Sequence, residues 1–243
     1  MRLDQEIVKR GLCASRKEAQ EIIEQGGVFL NGIVCLKQTM QVKDEDEIIV
    51  TSRRKYVSRG GEKLEGVLFD LFVDEDKIRR FCLDKTALDI GSSTGGFTDC
   101  LLSYGVASVD AIDVGSSQLH KKIREDNRVN VFENTDIRYF DNNDKKYDIV
   151  VADLSFISLE NILDNIITFG KSGTNYFLLL KPQFEVGRGN TKKGIVKDTE
   201  LVDSILKKYS TILKEKGLKE IKIFPSHIKG GEGNQEYFIH ALR

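Results

Sequence analysis

The stretch Thr86-Ala87-Leu88-Asp89-Ile90-Gly91-Ser92-Ser93-Thr94-Gly95-Gly96-Phe97-Thr98-Asp99 decides the fold. Five residues of strand type run straight into a glycine-rich turn, after which the pattern turns helical. Glycine at such a turn lets backbone approach a ligand closely and aims N–H groups outward. Asp113, 22 residues beyond Gly91, ends a second strand, where an acid is placed to hold the ribose hydroxyls of a nucleoside. The spacing G-x-x-x-G-G is neither the dinucleotide pattern nor a P-loop, so NAD and ATP drop out.

Outward from this turn, Ser108–Asp113, Asn130–Glu133, Tyr147–Leu154 and Asn175–Pro182 read as further strands. Helices are expected around Thr98–Tyr104, Ser117–Arg124, Leu159–Thr168 and Thr199–Lys216. This β-α alternation predicts an α/β, Rossmann-like, doubly wound sheet, and the last two strands, Leu218–Phe224 and Glu236–Leu242, are candidates for an antiparallel edge pair. Leu64, Val67, Leu68, Leu71 and Phe72 form the apolar stripe of a helix opening at Lys63. Upstream lies a smaller α+β unit. Ser15 and Glu18 form a capping box before a short helix that Gly26-Gly27 stop, and Asn31-Gly32 joins Val28-Phe29-Leu30 to Ile33-Val34 as a hairpin turn. Glu47–Val50 reads as another strand. The expected domains are residues 1–50 and 63–243, joined by a basic linker, 51–62.

The chain has 243 residues, 40% hydrophobic and 31% charged, a composition that excludes fibrous and wholly disordered classes. Lys+Arg at 37 against Asp+Glu at 38 gives a net charge of -1, so nucleic-acid binding has to come from local patches. Apolar runs are too short for a membrane span and the first residues lack a signal-peptide core, which predicts a cytoplasmic protein with no membrane partner. The four cysteines and three histidines lack metal-ligand spacing.

For a nucleoside cofactor in this sheet without the NAD or ATP signatures, S-adenosyl-L-methionine remains. Gly91, Ser92, Ser93, Thr94, Gly95, Gly96 and Phe97 would cradle it, Asp113 would hold the ribose, and Asp136 is placed either for the adenine amino group or as a solvated turn residue. Open sheets carry their chemistry at the carboxyl ends of strands. Asp153 and Lys181 stand there, with Lys63 and Glu236 as further charged candidates. Lys181 alone reads first as a strand-end lysine covering apolar surface; Pro182 directly after it, with Lys63 and Glu236 as charged neighbours, turns the reading to chemistry.

The segments RLDQEIVKRGL, SRKEAQEIIEQGGVFLNG, YVSRGGEKL, LDIGSSTGGFTDCLL, VDAIDVG, VADLSFISL, LLLKPQFEVGR and GNQEYF resemble the TlyA/haemolysin-A family of ribosomal RNA 2′-O-methyltransferases over nearly the full length. The resemblance implies an FtsJ-like catalytic domain behind an αL RNA-binding motif. It also implies that Lys63, Asp153, Lys181 and Glu236 form a Lys-Asp-Lys-Glu catalytic set, with Asp153 also near the cofactor. Asp136 stands where the family pattern leads one to expect Asn. A ribose 2′-hydroxyl is a poor nucleophile and a sulfonium methyl a strong electrophile, so such an enzyme must align the two and manage a proton, with no metal required. Lys181 as base and Lys181 as orienting cation both fit the sequence.

The expected partner is ribosomal RNA or a ribosomal subunit. Arg2, Lys9, Arg10, Arg16 and Lys17 would contact phosphates, followed by Arg53, Arg54, Lys55 and Arg59 of the linker and by Arg188, Lys192 and Lys193 of the loop after Lys181. The family's usual target implies a large-subunit cytidine. Two other classes compete: a non-catalytic RNA-binding assembly factor, and a haemolysin as the family name suggests, which the lack of a signal or a span disfavours.

Overall fold

A computed structural model describes residues 1–24, 26–51, 55–187, 190–192, 194–230 and 233–243. The chain divides into two compact units, Met1–Lys55 and Tyr56–Arg243.

In the first unit, α1 (Leu3–Lys9) and α2 (Arg16–Glu24) accompany a three-stranded antiparallel sheet of β1 (Val28–Leu30), β2 (Ile33–Val34) and β3 (Ile48–Val50), in the order β2-β1-β3. Ser15 Oγ accepts from the Glu18 N–H at 3.2 Å, while the Glu18 carboxylate takes the Ala14 N–H at 2.8 Å, one residue earlier than a regular capping box. Asn31 and Gly32 adopt φ of 50° and 80°, the left-handed pair that a tight hairpin turn requires. Leu3, Ile7, Ala19, Ile22, Ile23 and Val28 form the core.

The second unit opens with α3 (Arg59–Phe72) and α4 (Glu75–Cys82). Then come β4 (Thr86–Ile90), α5 (Gly96–Ser103), β5 (Ser108–Ile112), α6 (Lys121–Arg124), β6 (Val129–Phe132), β7 (Tyr147–Ala152), α7 (Leu163–Thr168), β8 (Gly170–Leu180), α8 (Pro182–Glu185), α9 (Thr199–Glu215), β9 (Lys219–Pro225) and β10 (Tyr237–Leu242). The seven strands run in the order β6-β5-β4-β7-β8-β10-β9. The first five are parallel, and β10 pairs antiparallel with both β8 and β9. Strand order reverses beside β4, which opens a crevice at the carboxyl ends of β4, β5 and β7. Alternation along β7 explains the two-sided core. Val150 and Ala152 join a cluster with Leu88, Leu178, Ile239, Ile166 and Tyr209, while Ile149 and Val151 join Ala87, Phe177, Phe238, Leu64 and Leu101 on the other face.

The doubly wound sheet and the antiparallel edge pair are as expected, and the differences have local causes. The stretch expected as a linker over 51–62 is shorter, because Tyr56 is buried and α3 already begins at Arg59. Helix α4 escapes the apolar rule since only Ile78 and Cys82 are buried; Asp74 starts it by accepting the Lys77 N–H at 2.8 Å. The helix expected over Ser117–Arg124 is confined to α6, as Ser117 has φ 57° and His120 caps the turn. Strand β8 begins five residues early, where Thr174 Oγ1 accepts from the Lys171 N–H and donates to the Tyr147 carbonyl.

Candidate active site

Gly91 has φ 79°, and a Cβ there would stand 2.6 Å from the carbonyl oxygen of Asp153, so only glycine lets the ends of β4 and β7 meet so closely. At Gly96 a Cβ would come within 2.2 Å of Ser58 Oγ and 2.8 Å of the Gly61 nitrogen; this glycine serves the packing of α5 on α3. The expectation of outward N–H groups is corrected for part of the turn. The Gly91 and Ser92 N–H groups donate to the Ile112 carbonyl, that of Ser93 to Asp113 Oδ2 at 2.8 Å, and that of Gly95 to the Ser92 carbonyl.

A cleft of about 590 Å³ lies at the crevice, lined by Gly91, Ser93, Asp113, Asp136 and Asp153 among the expected residues. Ser92, Thr94, Gly95, Gly96 and Phe97 are not on its wall. Gly95 and Gly96 start α5, and Phe97 packs against Phe238 with ring centroids 5.8 Å apart. Asp113 accepts from Ser93 and, through Oδ1, from the Gly115 N–H at 2.7 Å. A carboxylate has about four acceptor directions, so capacity for ligand hydroxyls remains. Asp136 accepts from the Arg138 backbone and pairs with its guanidinium at 2.5 Å, which holds its carboxyl below the usual range. Sequence reasoning missed Val114, Gly115, Gln118, Thr135 and Arg138 on this wall; no strand or charge pattern marks them.

Beneath the glycine turn, Asp89 is buried, and its Oδ2 accepts both the N–H and the hydroxyl of Thr98, at 3.0 and 2.6 Å. Burial pushes this carboxyl up to about 7, against the Thr98 hydrogen bonds, with Asp153 and Asp113 adding to the rise.

The four charged candidates gather at one end of the sheet. Asp153 follows the last residue of β7 and Lys181 the last of β8, while Glu236 precedes β10, whose first residue, Tyr237, is in register with Leu180. They form two ion pairs. Lys181 Nζ lies 2.6 Å from Asp153 Oδ1 and donates to Ser155 Oγ at 2.9 Å; Lys63 Nζ, from α3, donates to Glu236 Oε2 at 2.6 Å. Both lysines are buried at 9% exposure, which sets them apart from surface lysines. Ser155 was not singled out from sequence.

Residues 56–243 match the model of the family described as FtsJ-like methyltransferase. The chain belongs to this family. Residues 1–48 match the S4 domain. Among curated proteins it is 40% identical to Hemolysin A of Brachyspira hyodysenteriae, with all of both chains covered. It is 39% identical to the 16S/23S rRNA (cytidine-2′-O)-methyltransferase TlyA of Mycobacterium tuberculosis, covering 98% of this chain and 88% of that one. A solved structure from Streptococcus thermophilus, provisionally described as a hemolysin, is 33% identical at a TM-score of 0.76 and covers 100% of this chain and 88% of that chain.

The residues around the cleft of this FtsJ-like member suit S-adenosyl-L-methionine. The cleft's volume falls in the range of small-molecule sites, roughly 300–1,000 Å³; Gly91 contributes no side chain to its wall, and the acid Asp113 stands beside the exposed apolar Val114.

The cations expected to meet phosphate divide. Arg10 is held inside the first unit by Glu6 and by the carbonyls of Lys43, Asp44 and Asp46, so it ties α1 to the acidic turn. Arg2 and Arg16 share the buried Asp4, Lys9 is 3.6 Å from both Glu6 and Asp44, and Lys17 is exposed. Lys192 is exposed in a short bridge with Ile195, and Arg59 opens α3. Arg53, Arg54, Arg188 and Lys193 lie outside the described residues. No helix among the described residues is long and apolar enough to cross a membrane.

Proposed function

We propose that this chain carries out S-adenosyl-L-methionine-dependent methylation of a ribose 2′-hydroxyl in ribosomal RNA, at a cytidine of the large subunit, in the cytoplasm. The pairing of Lys181 with Asp153 at the cleft edge carries this reading, in a chain whose relatives are named for that reaction. When bound, the cofactor supplies a methyl group made electrophilic by a sulfonium. Gly91 and Ser93 would border it, Asp113 would accept from its ribose, and Asp136 would face its base.

Lys181 holds the substrate hydroxyl. Its ammonium already donates to Ser155 Oγ, so a hydroxyl oxygen is the partner this position is built to orient. Asp153 fixes the lysine by an ion pair and places negative charge beside the cleft, favouring a cation there. Lys63 and Glu236 hold the start of β10 and a second positive centre at the same edge. Lys9, Arg16, Lys17, Arg2, Lys55, Arg59 and Lys192, with Arg53, Arg54, Arg188 and Lys193, would neutralise RNA phosphates, making binding steeply salt-dependent. Mapping ribose methylation across ribosomal RNA with and without the protein tests the reading: a single protein-dependent 2′-O-methylcytidine in large-subunit RNA is expected, and no change at any nucleotide refutes it.

A further inference from the structure

The loop that carries Asp153 and Ser155 contains a strained residue. Phe156 has φ 66°, a left-handed conformation that bulky side chains avoid, and it is 90% exposed. Such a backbone persists only where its surroundings over-determine it. On one side the loop is tied to Lys181 by the Asp153 ion pair and the Ser155 hydrogen bond. On the other it is tied to Glu185. Glu185 Oε1 accepts the Leu159 N–H at 3.0 Å, and Oε2 accepts the hydroxyls of Ser158 at 2.7 Å and Tyr209 at 2.6 Å. The Tyr209 oxygen accepts in turn from the Glu160 N–H at 3.0 Å.

Lys181 caps α8 and Glu185 is its last residue, so the two are separated by a single helical turn. The segments 153–158 and 181–185 are thus bridged at both ends. Phe156 packs on Phe184 between the bridges, with centroids 5.2 Å apart. The Glu185 carboxylate takes three donors at once, from Ser158, Leu159 and Tyr209.

We infer that Glu185 is a positioning residue for methyl transfer: its carboxylate brackets the Asp153–Phe156 loop to the α8 turn and thereby fixes the spacing of Lys181 and Asp153. This rests on the proposed function, and it does so through geometry alone, since Glu185 does not line the cofactor cleft.

The test compares the full-length chain with Glu185→Ala, Glu185→Gln and Ser158→Ala. It measures single-turnover methyl transfer to ribosomal RNA, calorimetric cofactor affinity and amide exchange of residues 154–159. Glu185→Ala should slow methyl transfer by about 10- to 100-fold, the cost of a misplaced reacting group. Cofactor affinity should stay within about threefold, which separates loss of alignment from loss of binding. Amide exchange in 154–159 should rise by about tenfold or more as local opening becomes easier. Glu185→Gln keeps an acceptor for Leu159, and the two hydroxyls can turn to accept from its amide, so it should recover most of the rate. Should the alanine variant fail to fold, Ser158→Ala and Glu185→Gln carry the test: Ser158→Ala, which removes one of the three donors, should raise exchange in 154–159, while Glu185→Gln leaves it near the wild-type level. Unchanged exchange in Glu185→Ala and Ser158→Ala, or a wild-type rate in Glu185→Ala, would overturn the bracket. Lack of methyl transfer by the wild-type chain with exchange still raised in the variant would instead overturn the proposed reaction and leave the bracket standing.

Discussion

The Lys63 ammonium and the Glu236 carboxylate lie 2.6 Å apart although 173 residues separate them in sequence. Their side chains are 11% and 3% exposed, so neither charge is shared with bulk water to any extent. The pair joins the second turn of α3 to the start of β10. Removing one partner strands the other: Glu236→Ala should lower unfolding stability by about 3 kcal/mol. Replacing both, Lys63→Met with Glu236→Leu, should restore most of that stability while methyl transfer stays lost. Denaturant titration of both variants against the wild-type chain checks it, and a double variant as unstable as the single one contradicts it.

Burial pushes His240 down to about 4, with Lys222 adding to the shift, so the folded protein keeps this imidazole neutral; it is hydrogen-bonded to Asn175 Oδ1 at 2.9 Å. Between about 6.5 and 4 the unfolded chain takes up a proton that the fold refuses. Stability from this residue is therefore present above 6.5 and falls as pH drops, by up to about 1.4 kcal/mol per unit. His240→Gln, which keeps a donor for Asn175, should flatten the fall in Tm between pH 7 and pH 5. Identical Tm-against-pH curves would remove His240 as a cause of acid lability.

Asp113 joins two parts of the cleft wall by accepting from both Ser93 and Gly115. Asp113→Ala would free the glycine turn and remove the ribose acceptor together, so cofactor affinity should fall by about tenfold or more, the scale of one or two charge-assisted hydrogen bonds. Calorimetry measures it, and unchanged affinity would move the cofactor elsewhere.

Much of this was legible in the sequence because the signals were periodic. Strand β4, the glycine turn and Asp113 stand in one register, and Asp153, Lys181 and Glu236 fall at the ends of recognisable strands, with Lys63 on the amphipathic helix α3. What stayed hidden depended on distant partners. Asp89 reads as an ordinary strand acid until Thr98 folds back over it. Arg10 looks like a surface cation, but the acidic turn at 43–46 captures it. The second half of the glycine segment promises ligand contacts, whereas the nearness of α3 makes Gly96 a packing residue. Ser155 lies in a loop and Glu185 ends the one-turn helix α8, and no local pattern specifies either conformation.

The unit Met1–Lys55 has a core of its own and carries Lys9, Arg16 and Lys17. Deleting residues 1–55 should leave the remaining unit folded and binding cofactor, while methyl transfer to ribosomal RNA is lost with the phosphate contacts that set register. Full activity of the shortened chain in physiological salt would remove the first unit from substrate binding.

In the proposed reaction Lys181, held by Asp153 and Ser155, orients the accepting hydroxyl at the edge of the cleft. The most direct measurement is single-turnover methyl transfer by Lys181→Ala alongside its calorimetric affinity for S-adenosyl-L-methionine. The rate should fall by about 10³-fold or more, as for removal of a positioned proton-handling group, with affinity nearly unchanged. Turnover near that of the wild-type chain, with the cofactor still bound, would contradict it.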